Sequence, residues 1–346
     1  MASVLKPEAQ HDEGAAWKPS KGQKFKNFIR KTWWMWLILA IVITVILVPV
    51  LLLVIYPHIA QSAVNKASIV VTSLAALSPA ANSISLDINN TFIIHSSYHP
   101  TLYPFNASLY LDDEASTPFV SFESPKINHV KNGSWAVVQE TVPIYNLDGF
   151  TAFVKKALVS DSFNVTLRGK GKLKEGGLTK TGVTWHQNAS ITGLGGLSQI
   201  NVASVTLLSS PLSDGSNAQG VIELYNPSVF TMDLGNVTLS LTGPSPNNTA
   251  LGTSTLINAV LKPGSNTLTS NIVADVLAIA SLITTDSRYG CAVFPISLQG
   301  INSTVNGELI PYYTAALQDL QQTTTLNLTT TLQTAGLGSA ITTCSS

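Results

Sequence analysis

Few side chains in this sequence could do chemistry, and those that could stand in small, separate groups. His95 and His99 are four residues apart, a spacing that lets two imidazoles bind one metal ion from a single helix face. The Ser, Tyr and Pro residues around them favour a loop instead. Asp112, Asp113 and Glu114 offer the oxygen ligands that Ca²⁺ prefers, although three acids after a strand are more typical of a solvated turn. Neither group predicts a metal site.

The sequence also lacks the motifs of common enzymes. It contains no nucleophile elbow, zincin helix, Walker loop or paired-cysteine metal signature. The glycines at 193, 195 and 196 lack the strand-then-helix setting that a phosphate-binding loop needs. We therefore predict a protein that is not an enzyme and that holds no cofactor or metal ion.

A third group of side chains is cationic. Arg168, Lys170, Lys172 and Lys174 alternate with other residues, which places all four on one face of a strand. In that position they can contact lipid headgroups or an acidic partner. The alternative is an edge strand whose lysines block unwanted pairing.

The chain has two cysteines, Cys291 and Cys344. In an oxidising compartment they can pair and close a loop of 54 residues. Such a closure stabilises by roughly 4 kcal/mol on the chain-entropy model. Two free thiols are the alternative, because spacing alone does not fix geometry.

Nine asparagines begin N-x-S/T sequons and are candidates for N-glycosylation: Asn89, Asn106, Asn132, Asn164, Asn188, Asn236, Asn247, Asn302 and Asn327. Asn226 is excluded because Pro227 follows it. Asn164 and Asn236 alternate with apolar residues, so we expect them to face solvent on strands, where a glycan is tolerated. The alternative is polar strand faces that carry no glycan.

A long apolar segment determines where all these groups lie. Residues 33–56 carry no ionisable side chain except Tyr56, and 24 helical residues reach about 36 Å, enough to cross a bilayer. The tryptophans at 33, 34 and 36 and Tyr56 have the placement of an aromatic belt. Pro49 lies inside the segment, where we expect a kink at most. The segment is predicted to be a single transmembrane helix.

The flanking charges predict its orientation. Six basic residues precede the segment closely and only Lys66 follows it closely: Lys18, Lys21, Lys24, Lys26, Arg30 and Lys31. By the positive-inside rule, residues 1–32 form a cytosolic tail, which its composition predicts to be disordered, and the rest is lumenal or extracellular. This is a signal anchor of type II; a cleaved signal peptide ending near residues 60–62 is the alternative. The basic cluster either only sets topology or also binds anionic lipids.

Overall composition excludes one class of partner. Lys plus Arg and Asp plus Glu both total 19, so no net positive field attracts nucleic acid. Charged residues make up 11% of the chain, against about 25% in a typical soluble domain. Hydroxyl-rich surface and glycans are expected to replace charges.

Beyond the apolar segment the pattern changes to short alternating runs, which predict a mostly β fold. Strands are predicted at 84–88, 105–111, 134–142, 163–173, 221–225, 236–241, 253–261 and 292–298. Helices are predicted after Asp148 as N-cap, over 271–283 and over 312–322. The same order of anchors recurs at an offset of 125 to 136 residues, which indicates a duplicated domain. We therefore predict two tandem β-sandwich or barrel-like domains, each with a short helix, at 60–195 and 197–320, followed by a Ser/Thr-rich tail at 321–346.

Landmarks of the second half resemble a known family. Asn226-Pro227 follows a strand, Pro263-Gly264 forms a turn, and an amphipathic strand at 234–239 lies between them. This arrangement is similar to the late-embryogenesis-abundant group 2 domain, over about 197–310, and the first half looks like a diverged copy. Together with the N-terminal anchor, it resembles fungal single-span membrane proteins that carry such domains in the vacuole lumen.

The resemblance implies β-sandwich domains without catalytic residues and an apolar groove for lipids. The leading hypothesis is a glycosylated binding or scaffolding protein of the fungal vacuole membrane, with its domains in the lumen, that binds lipid or lumenal proteins. A cell-surface adhesion or wall-contact protein at the plasma membrane is one alternative. A lumenal hydrolase is another, and it requires convergent carboxylates or a Ser–His pair in a pocket.

Overall fold

The computed structural model of the chain describes residues 21–93, 98–112 and 116–341. These residues divide into two compact units, one ending at Tyr56 and the other beginning at Pro57. The first unit is helical and the second is built mostly from strands. A mostly β fold that follows an N-terminal apolar helix is thus confirmed.

The apolar segment is helical. It consists of α1 (Lys21–Val50), a π-helical segment (Leu51–Ile55) and α2 (Tyr56–Lys66). Within the described residues, Thr32–Lys66 is the one helix long and apolar enough to cross a membrane, and its most apolar stretch is entirely unburied. The apolar helix predicted from the sequence is present, and its length and composition are those of a membrane-spanning helix.

Two details of these helices differ from the prediction or refine it. Residues 21–32, predicted to be disordered, form the first turns of α1, because extending an existing helix costs far less than nucleating one. Residues 1–20 lie outside the described part of the chain. Pro49 does not break the helix, although its missing N–H removes the hydrogen bond to the carbonyl oxygen of Val45, and a π-helical segment begins two residues after it.

The unit that begins at Pro57 contains two successive halves. The first half comprises β1 (Ser68–Ala80), β2 (Ser83–Ile93), β3 (Thr101–Leu102), β4 (Phe105–Leu111), β5 (Val120–Ser124), β6 (Ser134–Pro143), α3 (Leu147–Val159), β7 (Ser162–Lys174) and β8 (Thr181–Thr192). The second half comprises β9 (Ile200–Leu207), β10 (Ala218–Asn226), β11 (Phe230–Thr242), β12 (Ala250–Leu261), β13 (Gly264–Ala274), α4 (Val276–Thr285), β14 (Val293–Val305), β15 (Glu308–Leu309), α5 (Pro311–Gln318), β16 (Gln321–Asn327) and α6 (Thr329–Thr334).

Five ladders of the first half have equivalents in the second half, which has in addition a ladder between β12 and β13. In the first half, antiparallel ladders join β1 to β2, β2 to β6, β4 to β5, β4 to β7 and β7 to β8. In the second half, equivalent ladders join β9 to β10, β10 to β13, β11 to β12, β11 to β14 and β14 to β16. Gly133 and Gly264, which align in the sequence, begin equivalent turns with φ of +79° and +88°, a conformation that favours glycine. The predicted duplication therefore has a counterpart in the strand pairing.

One parallel contact joins the halves into a continuous sheet. Leu74, Ala75 and Ala76 of β1 pair with Phe230, Thr231 and Met232 of β11. The resulting sheet has eleven strands, in the order β6-β2-β1-β11-β12-β13-β10-β9 with β14, β15 and β16 attached. A second sheet has five strands, in the order β3-β7-β4-β5 with β8 beside β7.

The core also crosses the junction between the halves. Phe230 of β11 lies 6.1 Å from Phe153 of α3 and 6.2 Å from Phe163 of β7, measured between ring centroids. Tyr312 of α5 meets Phe150 of α3 edge-on at 4.9 Å. The predicted boundary between residues 195 and 197 falls in a tight connection between β8 and β9, but a shared sheet and a shared core hold its two sides together.

Several predicted element ends were wrong. Helix α3 is capped by Asn146, whose side chain accepts a hydrogen bond from Gly149 N, and Asp148 lies inside its first turn. The predicted helix at 271–283 begins only after its cap Asp275, because the residues before it pair as strand β13. The predicted helix at 312–322 ends at Gln318. The start of the predicted Ser/Thr-rich tail forms β16, in register with β14.

Candidate functional site

The predicted metal groups are not assembled in the described structure. His99 is exposed in the connection before β3, and Asp112 lies just after β4; His95, Asp113 and Glu114 lie outside the described residues. Among the described residues, no group of three or more His, Cys, Asp or Glu side chains is placed to hold a metal ion.

Shifted pKa values mark structural positions. Hydrogen bonds from Ser216 and Asn271 lower the pKa of Asp214, and hydrogen bonds from Arg288 lower the pKa of Asp286. Burial raises the pKa of Tyr312 and Tyr313 well above the ordinary tyrosine value. Asp214 is exposed, Asp286 is half-buried and the tyrosines lie in the core between the halves, so these shifts do not define one cleft.

The sequons differ in exposure. Six of their asparagines are exposed: Asn106, Asn132, Asn164, Asn188, Asn247 and Asn327. Three are half-buried: Asn89, Asn236 and Asn302. Asn164 faces solvent as predicted, whereas the Asn236 side chain accepts a hydrogen bond from Asn258 N at 2.9 Å and is held at the sheet surface. A glycan is therefore accommodated more easily at the exposed set.

Cys291 takes part in a disulfide in the structure. Cys344 lies outside the described residues. The pairing of these two cysteines stays a prediction.

The side chain of Asn226, in the Asn-Pro motif of the second half, holds the following turn in place through hydrogen bonds. Asn226 is 1% exposed, and its Oδ1 accepts hydrogen bonds from Ser228 N at 2.9 Å and Ser228 Oγ at 2.6 Å. Its Nδ2 donates to the carbonyl oxygen of Phe230 at 2.9 Å. These bonds close the turn between β10 and β11, a role that the sequence did not reveal.

Replacing Asn226 with alanine is expected to lower the free energy of unfolding by about 2–4 kcal/mol, because buried backbone groups lose their partners. Urea unfolding of the full chain in detergent measures this change. Asn201→Ala is the matched control: its exposed side chain makes one weak contact, and we expect a change within about 0.5 kcal/mol. Equal decreases in the free energy of unfolding of the two variants would contradict this role of the Asn226 side chain.

The cationic strand lies inside a sheet. Strand β7 pairs with β3 and β4 on one side and with β8 on the other, so the alternative prediction of an edge strand is wrong. Lys170 and Lys172 are exposed and Lys174 is half-buried. Arg168 differs, because its guanidinium carbon lies 4.3 Å from the centroid of the Tyr110 ring.

Two further lysines lie near the end of this strand, around the ring of Tyr103. Tyr103 N donates to the carbonyl oxygen of Lys172 at 3.0 Å, which fixes Tyr103 at the end of β7. The ammonium of Lys180 lies 3.8 Å from the Tyr103 ring centroid, and that of Lys126 lies 5.6 Å from it. We call the resulting set of five lysines the basic end: Lys126, Lys170, Lys172, Lys174 and Lys180.

The apolar cavities known from the described residues of this unit are small. Four cavities lined by described residues have volumes of about 60, 50, 50 and 20 Å³. The first lies under α4 between β10 and β14, and the third lies between the sheets of the first half. Each is smaller than the roughly 150 Å³ cavity that admits a benzene molecule. These cavities, as folded, do not admit an acyl chain.

Comparison with known proteins gives one family match. A family described as "Protein of unknown function (DUF3712)" matches residues 117–241, just over a third of the chain. The matched region runs from the residues before β5 into β11 and so includes elements of both halves. No curated protein matches the chain.

Solved structures show only distant likeness. Red sea bream transglutaminase is 12% identical with a TM-score of 0.21, over 75% of this chain and 31% of that chain. An adhesin from Mobiluncus mulieris is 10% identical with a TM-score of 0.20, over 76% and 98% of the two chains. The periplasmic chaperone SfaE is 10% identical with a TM-score of 0.14, over 74% and 98%. At these TM-scores the likenesses carry no argument about function.

Proposed function

We propose that this chain is a single-span membrane protein that displays its β unit in the lumen of the fungal vacuole, as a binding or scaffolding protein without enzymatic activity. The observation that carries the proposal is the unburied apolar helix that leads directly into a β-rich unit. The excess of basic residues before the helix supports a cytosolic N-terminal segment. The resemblance to lumenal vacuolar proteins supports the compartment.

The geometry favours binding on the surface over binding in the core. A lipid-binding groove of the kind that the resemblance implies must take up an acyl chain, and the four cavities are too small for one. The two halves share one sheet and one aromatic core, which holds their outer faces in a fixed arrangement. A fixed arrangement of faces is what a scaffold requires.

Protease protection tests the orientation. In sealed microsomes, added protease is expected to remove only about the first 32 residues, and the β unit becomes sensitive when detergent opens the vesicles. Endoglycosidase treatment is expected to lower the apparent mass of the chain, and this decrease is expected to be smaller in the Asn132→Gln and Asn247→Gln variants. Asn201→Gln, which changes an exposed asparagine outside any sequon, is the control for the glycan shift. Digestion of the β unit in sealed vesicles would overturn the proposal.

Microscopy of the tagged full chain tests the compartment. Signal at the vacuolar rim is the expected result. Signal at the cell periphery would replace the vacuolar proposal with the cell-surface adhesion alternative.

A further inference from the structure

The basic end lies beside the residues where the chain leaves its apolar helix. Gln61 Oε1 accepts a hydrogen bond from Thr184 N, and Gln61 Nε2 donates to the carbonyl oxygen of Thr184, both at 2.8 Å. Thr184 is the cross-strand neighbour of Lys170 in the β7–β8 ladder. Gln61 comes four residues after Pro57, within helix α2, which places it only about 8 Å along the helix axis from Tyr56.

The direction of β8 points the β7–β8 turn toward the start of α2. Gln187 Nε2 donates to the carbonyl oxygen of Val64 at 2.8 Å, so contacts run from Gln61 to Thr184 and from Val64 to Gln187 in the same order. Following β8 backward leads to the β7–β8 turn, and following α2 backward leads to Pro57, the first residue of this unit. The turn therefore lies on the side from which the chain emerges.

An exposed leucine occupies this turn. Leu178 is 37% exposed, and its N–H donates to the carbonyl oxygen of Glu175 at 2.9 Å. The two glycines before it, Gly176 and Gly177, have no heavy atom within 4 Å of an added Cβ, so the turn projects into open space. An apolar tip between basic residues is the arrangement that inserts among lipid headgroups.

The charge of the basic end contrasts with the rest of its unit. From residue 57 onward the sequence has twelve Lys and Arg against sixteen Asp and Glu, yet five of the twelve cations belong to the basic end. None of these five lysines forms an ion pair with a described residue. Glu175, next to Lys174, is the one acid in the turn. The positive charge is therefore local and accessible.

We infer that the basic end docks on anionic lipid headgroups of the same membrane that the apolar helix spans, with Leu178 at the tip of the contact. The inference rests on the proposed membrane anchorage and on anionic lipid in the leaflet that faces the β unit. Because the tether holds this surface close to the bilayer, weak attraction at each lysine suffices for docking. The contact fixes which faces of the β unit remain free for partners.

The test uses the full chain in lipid nanodiscs with an environment-sensitive dye on Thr179→Cys, since the described residues contain no free cysteine. We compare phosphatidylcholine discs with discs that also contain phosphatidylserine, each with a headgroup-level nitroxide lipid as quencher. Quenching is expected in the anionic discs only, and added NaCl is expected to reverse it.

Two triple variants distinguish an effect of the lysines of the basic end from an effect of the total charge of the protein. Lys170→Gln with Lys172→Gln and Lys180→Gln is expected to shift docking about 100-fold toward the free state. Lys155→Gln with Lys156→Gln and Lys262→Gln removes the same charge elsewhere and is expected to leave quenching unchanged. Equal thermal unfolding of both triples establishes that they fold.

Three results would overturn the inference. They are equal quenching in neutral and anionic discs, quenching in neither, and quenching that survives in the first triple variant. Loss of quenching with inorganic phosphate but not with NaCl at equal ionic strength would identify a small-anion site instead. If the membrane anchorage itself is wrong, the protein does not remain with the nanodiscs during purification, which distinguishes this outcome from a failure of docking.

Discussion

Replacing Phe230 with alanine is expected to lower the free energy of unfolding by about 3–5 kcal/mol and to loosen both halves of the β unit together. The Phe230 ring is 1% exposed and contacts Phe153 and Phe163 of the first half, while its backbone pairs with Leu74. The cavity left by alanine therefore removes packing on both sides of the junction.

Hydrogen exchange of the full chain in detergent during urea unfolding measures this effect half by half. Peptides from β2 and from β13 are expected to lose protection at the same, lowered urea concentration. Leu277→Ala is the control, because that side chain is 83% exposed on α4 and its loss should change stability by about 0.5 kcal/mol or less. If Phe230→Ala opened β13 while β2 kept its full protection, the halves would be separate folding units.

Stability is expected to fall steeply as the pH rises above 10, because two buried tyrosines cannot ionise in the folded state. Tyr312 and Tyr313 are fully buried; the Tyr313 hydroxyl has no hydrogen-bond partner among the described residues, and the Tyr312 hydroxyl has only a weak contact with the backbone at Ala80. Burial and then the nearby charge of Asp233 raise the pKa of Tyr312, although the backbone at Ala80 acts slightly in the opposite direction. Burial, Tyr312 and Asp233 raise the pKa of Tyr313.

The sign follows from proton linkage. Above the ordinary tyrosine pKa of 10.0, the unfolded chain releases these protons and the folded chain retains them. The folded state then binds more protons, so each tyrosine lowers the free energy of unfolding by about 1.4 kcal/mol per pH unit. Below pH 10 the two states bind equally and the effect vanishes.

Urea unfolding as a function of pH checks this expectation. Tyr312→Phe and Tyr313→Phe are each expected to remove about half of the additional slope above pH 10, with little loss at neutral pH because the deleted hydroxyl makes no strong hydrogen bond. Tyr145→Phe is the control, since that ring is 71% exposed. An unchanged alkaline slope in both buried variants would contradict the assigned cause.

Local patterns in the sequence predicted much of the architecture. The apolar helix was predictable because its uncharged segment has the length and composition needed to cross a bilayer, and these properties do not depend on the rest of the chain. The predicted strand at 105–111 coincides with β4, because period-two alternation is a property of neighbouring residues. Strands such as β1 and β16 were missed because hydroxyl-rich or continuous runs obscure that alternation.

The candidate sites were harder to predict, because their residues come together through contacts between distant parts of the chain. Arg168, Lys170, Lys172 and Lys174 were identified from their spacing, but their neighbours Lys126 and Lys180 were not. Lys126 is distant in the chain and reaches Tyr103 only through the fold. Asn226 was recognised as part of a motif, yet its hydrogen bonds depend on the path of the turn in three dimensions.

What the sequence determined by itself is therefore the presence of an apolar helix long enough to cross a membrane, the β class of the remainder and the repeated order of its elements. The tertiary structure alone decided that the halves share one sheet, through Leu74 and Phe230, and that Gln61 of the emerging helix is bonded to Thr184 beside the lysines. Helical length and strand alternation arise among adjacent residues. Contacts between residues more than a hundred positions apart depend on how the whole chain packs, which no local pattern encodes.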